Sequence, residues 1–439
     1  MKSRHRLIAA IIAAALAVGG FFVWTFWPKQ TVLTFGMMAG SYWDVPNGNC
    51  YRIIDQTIQR FEKSHPGVVV KYTSGILKRD YSEWLSEQML LGQAPDVFMV
   101  QPDDFNTFSS IGALKSLNAL IAGDSSFKPG GFYTASYDAG RYQGSQYALP
   151  YESVPVMMFV NKTLLQQAGI PMPANNWTWD DFYRICKQVT RDTNGDGRPD
   201  RFGYYGYTWQ EAAYSNGASL FNADGTACYI NDTSVVSAVQ FIKNLTALSG
   251  NTSPTSRDFD LGQVAFRPFL FSDYRAYKPY PWSIKKYTGF DWSCIRMPAG
   301  PNGGNVSELN TLLMGISSKT QHSRLAWDFL KMLTADPSTQ QQIFQYSQGV
   351  SVLRQVTESA QTQALLSQSD LDGQAIDTAT LDEIMKSAVT APKFRKYSTA
   401  MQMADSRIDT LISNGGDIEP ALSTLRLDIL NYIEQKRQA

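Results

Sequence analysis

The residues with the clearest potential chemistry form an acidic loop at positions 192–200. Oxygen-bearing side chains fall at positions 1, 3, 5 and 9 of a calcium loop, a glycine falls at position 6, and position 7 offers a backbone carbonyl. Position 12 is Gly203 where a bidentate glutamate is usual, and no clear EF-hand helices flank the loop. The pattern predicts either a structural calcium site or a turn rich in Asx hydrogen bonds. The calcium ligands would be Asp192, Asn194, Asp196, Arg198 through its carbonyl, and Asp200.

Side chains for other catalytic chemistry are scarce. The only histidines are His5, His65 and His322, which leaves little material for a histidine-activated nucleophile. Lys and Arg number 39 and so do Asp and Glu, and this zero net charge argues against a uniformly basic nucleic-acid binder. Aromatic residues are abundant, with 22 Tyr, 23 Phe and 10 Trp. Aromatic rings fill cores, and they also stack on flat ligand faces.

The four cysteines, Cys50, Cys186, Cys228 and Cys294, are widely spaced. This spacing excludes a zinc site and a redox CxxC motif. Outside the cell one or two disulfides are permitted, although a chain of this size does not need them. Cys186 falls on the apolar stripe of a predicted helix, so we expect it to be a small buried hydrophobe.

The N-terminus carries a basic segment followed by an uncharged one. Residues 1–6 are basic, and residues 7–27 contain no charged side chain, which is long enough for a membrane-spanning helix. The charge asymmetry places the N-terminus in the cytoplasm, and Trp24 and Trp27 suit the outer interface. We expect residues 1–30 to form an uncleaved anchor. Signal-peptide cleavage near Ala15 and Ala17 is the alternative, whereas Cys50 is too distant for a lipoprotein signal.

Hydrophobic periodicity predicts the elements that position these residues. Over residues 31–100 it indicates a β-α-β-α-β order, with strands at Thr31–Phe35, Val68–Tyr72 and Val97–Val100. The same alternation returns after residue 150, where Thr178 with Asp181 forms a predicted capping box. The fold class is therefore α/β, with helices covering both faces of a sheet.

Several short blocks resemble those of a known family. The sequence is similar to the extracellular solute-binding proteins of ABC importers, in the sugar-binding, maltose-binding-protein-like branch. The blocks are Ala94-Pro95-Asp96-Val97-Phe98, Tyr147-Ala148-Leu149-Pro150, Val160-Asn161-Lys162-Thr163-Leu164, Ala168-Gly169-Ile170-Pro171, Thr178-Trp179-Asp180-Asp181-Phe182, Gly315-Ile316-Ser317-Ser318 and Ala326-Trp327-Asp328-Phe329-Leu330. Their order and spacing cover most of residues 31–350.

The resemblance implies a periplasmic-binding-protein-like fold, in which two α/β lobes are joined by hinge crossovers and hold ligand between them. We expect the first lobe at residues 31–150 plus 310–352 and the second at 151–309 plus 353–439. Crossings are expected near residues 150–155, 304–311 and 350–354. The chain has no GxxxxGK[ST] loop, so the transport ATPase must be a separate protein.

The resemblance also implies where ligand contacts lie, namely in loops after strands and at the crossings. Aromatic rings and planar polar groups at those positions suit a sugar. The expected ligand-binding residues are Tyr42, Trp43, Asp103, Asp104, Tyr151, Glu152, Trp209, Glu211, Tyr274, Trp282, Glu308 and Asn310.

The function expected from the resemblance is that of a non-enzymatic extracellular receptor. It would capture a carbohydrate, expected to be an oligosaccharide, and deliver it to the transmembrane subunits of an ABC permease. A secreted glycosidase or lyase is the alternative, because Asp103 with Glu152 offers a carboxylate pair. A sugar sensor or adhesin is a third reading. No nucleic-acid partner is expected, and no cofactor apart from the calcium ion.

Overall fold

The computed structural model describes residues 30–43, 49–250, 252–277, 290–368 and 376–435. Its strands are β1 Thr31–Gly36, β2 Val68–Thr73, β3 Val97–Val100, β4 Arg141–Tyr142, β5 Ser145–Gln146, β6 Ala148–Asn161, β7 Phe202–Tyr204, β8 Val264–Leu270, β9 Trp292–Ile295, β10 Leu309–Ile316 and β11 Val350–Ser351.

Helices fill most of the connections between these strands. They are α1 Cys50–Ser64, α2 Lys78–Leu90, α3 Pro102–Ser110, α4 Asn118–Ala122, α5 Thr134–Asp138, α6 Lys162–Gln167, α7 Trp179–Val189, α8 Trp209–Ser215, α9 Thr233–Ala247, α10 Ser256–Asp260, α11 Phe271–Tyr277, α12 Ser323–Thr334, α13 Pro337–Tyr346, α14 Arg354–Thr357, α15 Ala360–Gln368, α16 Thr378–Ser387, α17 Tyr397–Asn414 and α18 Ile418–Gln435.

The main sheet runs through both lobes in the order β2-β1-β3-β10-β6-β8-β7, with β9 and β11 also paired to β6. Strands β1, β2 and β3 are parallel, and β10 is antiparallel to both β3 and β6. The predicted β-α-β-α-β order over residues 31–100 is therefore confirmed. The capping box of Thr178 and Asp181 is also present at the start of α7.

Strand β6 belongs to both halves of the sheet. Residues 148–155 pair with β10, and residues 156–160 pair with β8. All fourteen residues of the strand are buried. Its side chains alternate between two cores: Met157 and Phe159 join one, while Val156, Met158 and Val160 join the other. Alternation of this kind follows from the two-residue period of a strand. The first expected crossing, at residues 150–155, is thus the strand itself.

Two further passages of the chain between the lobes lie beside β6. The backbone N–H of Val156 donates to Glu308 O at 3.0 Å, just before β10 begins. Val389 then exchanges bonds with that segment: its N–H donates to Ser307 O at 2.9 Å, and its carbonyl accepts from the Leu309 N–H at 2.8 Å. Three backbone segments therefore run side by side at the junction of the lobes.

The third crossing differs from the expectation near residues 350–354. Residues Val350 and Ser351 form β11, which pairs with Ser153 and Glu152 and stays with the first lobe. The passage to the second lobe comes later, around Val389, before α17 packs on α9.

Residues 353–388 consequently pack in the first lobe, not in the second lobe as expected. The Tyr133 hydroxyl donates to Asp382 Oδ1 at 2.8 Å, and Gln341 Nε2 donates to Thr362 Oγ1 at 3.0 Å. Helix α16 packs against α5 and β6. These long-range contacts decide the lobe to which α14, α15 and α16 belong.

The expected N-terminal anchor, at residues 1–30, lies almost entirely outside the described residues. Within the described ranges, no helix has the length and apolar character needed to cross a bilayer.

The four cysteines carry free thiols, and Cys186 is fully buried as expected.

Candidate functional site

The carboxyl ends of the parallel strands point toward the junction between the lobes. Val100, the last residue of β3, pairs with Leu313, and β10 begins beside the crossing at Leu309. In the second lobe the last residue of β8, Leu270, pairs with Val156, and β7 runs parallel to β8. Ligands of open α/β sheets bind beyond such carboxyl ends. The candidate site is therefore the cleft between the lobes.

Trp43 and Glu152 form a buried pair on the first-lobe side of this region. The indole Nε1–H of Trp43 donates to Glu152 Oε1 at 2.8 Å, and the Ser347 hydroxyl donates to Oε2. Burial raises the pKa of Glu152, while the bonds from Ser347, Trp43 and the Gly349 N–H partly offset the rise. The protein itself donates the hydrogen bonds that this carboxylate accepts.

The two tyrosines beside this pair differ in accessibility. Tyr42 is half-buried and packs edge-on against Trp43, with ring centroids 4.7 Å apart. The Lys78 ammonium lies 4.6 Å from the centroid of the Tyr42 ring. Tyr151 is buried, and its carbonyl accepts from Gln340 Nε2 at 2.9 Å. Tyr42 is therefore the better placed of the two for a ligand.

The two aspartates at the start of α3 have different environments. Asp103 is largely exposed, and its Oδ1 lies 3.8 Å from the Nζ of Lys393, which follows the third crossing. This ion pair spans the two lobes. Asp104 turns back onto the first lobe, where Oδ2 accepts from the Ser82 hydroxyl at 2.5 Å and burial raises its pKa.

Glu211 lies at the start of α8 in the second lobe. It is the acidic member of a capping box, in which its Oε2 accepts from the Thr208 N–H at 2.7 Å. Burial raises the pKa of Glu211 to about 8, the bonds from Thr208 oppose the rise, and the negative charge of Glu308 adds to it. The capping box of Thr208 and Glu211 fixes the backbone at the start of α8, and the charge of Glu308, which is distant in sequence, contributes to the raised pKa of Glu211.

Glu308 and Asn310 flank the second crossing. Burial raises the pKa of Glu308, and the positive charge of Lys393 partly offsets the rise. Within the described residues, no side chain or backbone group donates a hydrogen bond to the Glu308 carboxylate. Asn310 lines a cavity of about 100 Å³ at the junction of the lobes, together with Asn106, Arg141, Thr311 and Lys393. These groups are polar and come from both sides of the crossing.

Tyr214 and Tyr397, which lie near Glu308 and Lys393, are not among the ligand-binding residues expected from the sequence. Tyr214 in α8 and Tyr397 in α17 lie close enough for each hydroxyl to influence the ionisation of the other, and burial raises the pKa of each. The Lys393 ammonium lies 5.0 Å from the centroid of the Tyr397 ring. Tyr397 is half-buried at the helix start. Tyr397 closely follows the third crossing, and this position could have identified it as a candidate ligand contact. The sequence, however, predicts that crossing near residues 350–354.

Two expected aromatic contacts, Trp209 and Tyr274, are not brought to the residues around Glu308. Trp209 is 3% exposed, and its Nε1–H donates to Asp405 Oδ1 at 2.9 Å in α17. Tyr274 is fully buried, with its ring centroid 5.6 Å from that of Trp292. Trp282 lies outside the described residues. Trp209 and Tyr274 therefore act as core side chains in this structure.

The acidic loop at 192–200 adopts a turn held by its own side chains. The carboxylate of Asp192 accepts from the N–H groups of Asn194, Gly195 and Gly197 at 2.7–3.0 Å. These bonds lower the pKa of Asp192. Across the described part of the chain, no group of three or more His, Cys, Asp or Glu side chains is placed to hold a metal ion. The bonds of Asp192 are those of an Asx-rich turn, and calcium binding by the same loop stays a prediction.

A sequence profile described as bacterial extracellular solute-binding protein matches residues 48–340. The chain belongs to this family. One curated relative of this solute-binding protein is a lactose-binding protein from Rhizobium radiobacter, 24% identical over 192 residues. That match spans 43% of the chain and 42% of the relative, which is less than half of each.

Solved structures share the two-lobe fold of this solute-binding protein. The sugar-binding protein MalE from Xanthomonas citri has a TM-score of 0.75 at 16% identity, with 93% of this chain and 98% of that one covered. A cyclic α-maltosyl-1,6-maltose binding protein from Arthrobacter globiformis has a TM-score of 0.74 at 18% identity, with 92% and 99% covered. The Listeria monocytogenes protein Lmo0181, in complex with cycloalternan, has a TM-score of 0.67 at 20% identity, with 92% and 99% covered.

Proposed function

We propose that this solute-binding protein captures a carbohydrate, an oligosaccharide in the simplest case, between its lobes and delivers it to an ABC permease. The observation that carries the proposal is the Glu308 carboxylate at the crossing. Burial raises its pKa, and no described group donates a hydrogen bond to it. Glu308 is half-buried, so its carboxylate can present acceptor oxygens to the hydroxyl donors of a ligand in the cleft.

Groups around Glu308 supply the other contacts that a sugar needs. Lys393 and Asn310 offer donors from the crossings, and the ring of Tyr397 lies beside Lys393. Similar proteins include a lactose-binding protein, a cyclic α-maltosyl-1,6-maltose binding protein and a protein in complex with cycloalternan. The ligand contacts proposed here are Tyr42, Asp103, Glu211, Glu308, Asn310, Lys393 and Tyr397.

Calorimetric titration of the purified protein against a panel of oligosaccharides tests this function. We expect at least one sugar to bind and to remain uncleaved. Glu308→Gln should weaken binding of that sugar about tenfold or more, because a charge-assisted acceptor becomes a neutral amide. Glu419→Gln, an exposed acid at the start of α18, is the matched control and should bind normally. Equal affinity in both variants would remove Glu308 from the site.

The enzymatic alternative makes a different prediction. A glycosidase would release reducing ends from the sugar that it binds, and it would need its two acids free to exchange protons. Glu152 is instead committed to Trp43 and Ser347. Release of reducing ends by the purified chain would overturn the receptor proposal.

We also propose that residues 1–30 hold the protein at the outer face of the plasma membrane as an uncleaved anchor. The 21 uncharged residues at 7–27 support this proposal. Edman sequencing of the protein recovered from the membrane fraction tests it. Recovery of a chain that begins after residue 15 would favour the cleaved, secreted alternative.

A further inference from the structure

Three large apolar side chains are strongly exposed at one end of the first lobe. Leu90, Leu91 and Ile111 are 89%, 59% and 66% exposed. Leu90 and Leu91 close helix α2, and Ile111 follows helix α3. Isolated exposed apolar residues are common on protein surfaces, but their concentration at two neighbouring helix ends calls for a physical explanation.

The topology of the sheet places these residues at a single edge. Helix α2 returns from the carboxyl end of β2 to the amino end of β3, so Leu90 and Leu91 lie near Val97. Helix α3 returns in the same direction after β3. The segment behind it is fixed there, because the Ser318 N–H donates to Ala113 O at 2.9 Å and the Ser317 N–H donates to Asp96 O at 2.9 Å. We call Leu90, Leu91 and Ile111 the distal edge, since the edge faces away from the crossing.

The chain enters the first lobe at this same edge. Strand β1 is parallel to β3 and begins at Thr31, whose N–H donates to Gly67 O at 2.8 Å. The uncharged segment 7–27 ends three residues before Gln30. Three residues span at most about 11 Å when fully extended. An anchor at 7–27 would therefore hold Gln30, at the end of the sheet where the distal edge lies, within about 11 Å of the membrane interface.

Basic side chains border the distal edge. Lys115 is held there by its own N–H, which donates to Ile316 O at 2.8 Å, and Lys319 lies beyond the end of β10. Lys319 is exposed and Lys115 is half-buried. Apolar side chains flanked by lysines suit the boundary between acyl chains and anionic headgroups.

We infer that the distal edge is a membrane-contact surface, with Leu90, Leu91 and Ile111 seated in the headgroup region of the outer leaflet. This inference rests on the uncleaved anchor proposed above. The first lobe is then held with one end on the bilayer, and the second lobe remains free to close over ligand. The partner surface is a lipid bilayer that carries anionic headgroups.

The test uses the full chain in vesicles of phosphatidylcholine and phosphatidylglycerol. Leu90→Cys and Ile111→Cys are spin-labelled in a Cys50→Ser background, in which the hydroxyl can still accept from the Gly40 N–H. The control label replaces Leu427, which is 57% exposed on α18 of the second lobe. Collision rates are measured with oxygen, which partitions into lipid, and with a nickel chelate, which stays in water.

We expect the labels at positions 90 and 111 to favour oxygen over nickel at least threefold more than the control label does. Equal ratios at all three sites in vesicle-bound protein would overturn the membrane contact. Protein that fails to float with the vesicles, with all labels reached by nickel, would overturn the contact and the anchor together. Sugar affinity of each labelled protein, measured by calorimetry, keeps these failures distinct from failure of the receptor proposal.

Discussion

Replacing Glu211 by glutamine is expected to remove a pH dependence of folding stability. In the folded protein the pKa of Glu211 rises from 4.5 to about 8, chiefly through burial. Between these two pH values the unfolded chain is ionised at this position and the folded chain holds the proton. The unfolded state therefore binds fewer protons, so the free energy of unfolding falls as pH rises from 4.5 to 8 and is constant above that range.

The magnitude follows from the pKa difference. One pKa unit corresponds to about 1.4 kcal/mol, so the stability lost between pH 4.5 and 8 is at most roughly 5 kcal/mol. The loss is smaller where water reaches the carboxylate. Glutamine at this position can still accept from the Thr208 N–H, so the capping box survives in Glu211→Gln. The variant should therefore be more stable than the natural protein at pH 9 and similar to it at pH 4.

Urea unfolding at pH 4, 6, 8 and 9 measures this difference, with circular dichroism as the probe. The second variant is Glu308→Gln, which removes the neighbouring charge that raises the pKa of Glu211. In that variant the pH dependence should persist but end at a lower pH. Parallel stability curves for the natural protein and Glu211→Gln would refute a raised pKa at this site.

Three other perturbations have defined outcomes. Trp43→Phe keeps the ring but removes the donor to Glu152, so the free energy of unfolding in urea should fall by about 1–3 kcal/mol. Gly349→Ala would place a Cβ 2.8 Å from Glu152 Oε2, and a loss of about 1–3 kcal/mol is expected in the same assay. Adding EDTA should leave the midpoint of thermal unfolding unchanged, because Asp192 in the loop at 192–200 already accepts three backbone N–H bonds. A rise of several degrees in that midpoint on adding calcium would instead assign the loop as a calcium site.

The features that the sequence predicts well depend on local patterns. Strand β3 was expected at Val97–Val100 and occupies those residues, and the Thr178–Asp181 capping box is formed. Both are fixed by side chains within a few positions of each other, through apolar runs and capping hydrogen bonds. The order of elements over residues 31–100 follows for the same reason.

The features that the sequence cannot predict depend on distant partners. Trp43 and Trp209 stand beside turn residues, which favours exposure, yet each is buried because its indole N–H meets a carboxylate. Glu152 lies 109 residues from Trp43, and Asp405 lies 196 residues from Trp209. The third crossing was misplaced for the same reason, since α16 is held in the first lobe by Tyr133.

The position of β10 in the sheet has a consequence for the order of folding during synthesis. Strand β3 ends at Val100, but its neighbour β10 begins only at Leu309, about 200 residues later. Until that segment leaves the ribosome, one side of β3 has no strand to pair with. The first lobe thus cannot complete its sheet before the intervening part of the second lobe has been made. Such late closure leaves one side of β3 without its partner strand while about 200 further residues are made, which lengthens the time in which that side can mispair.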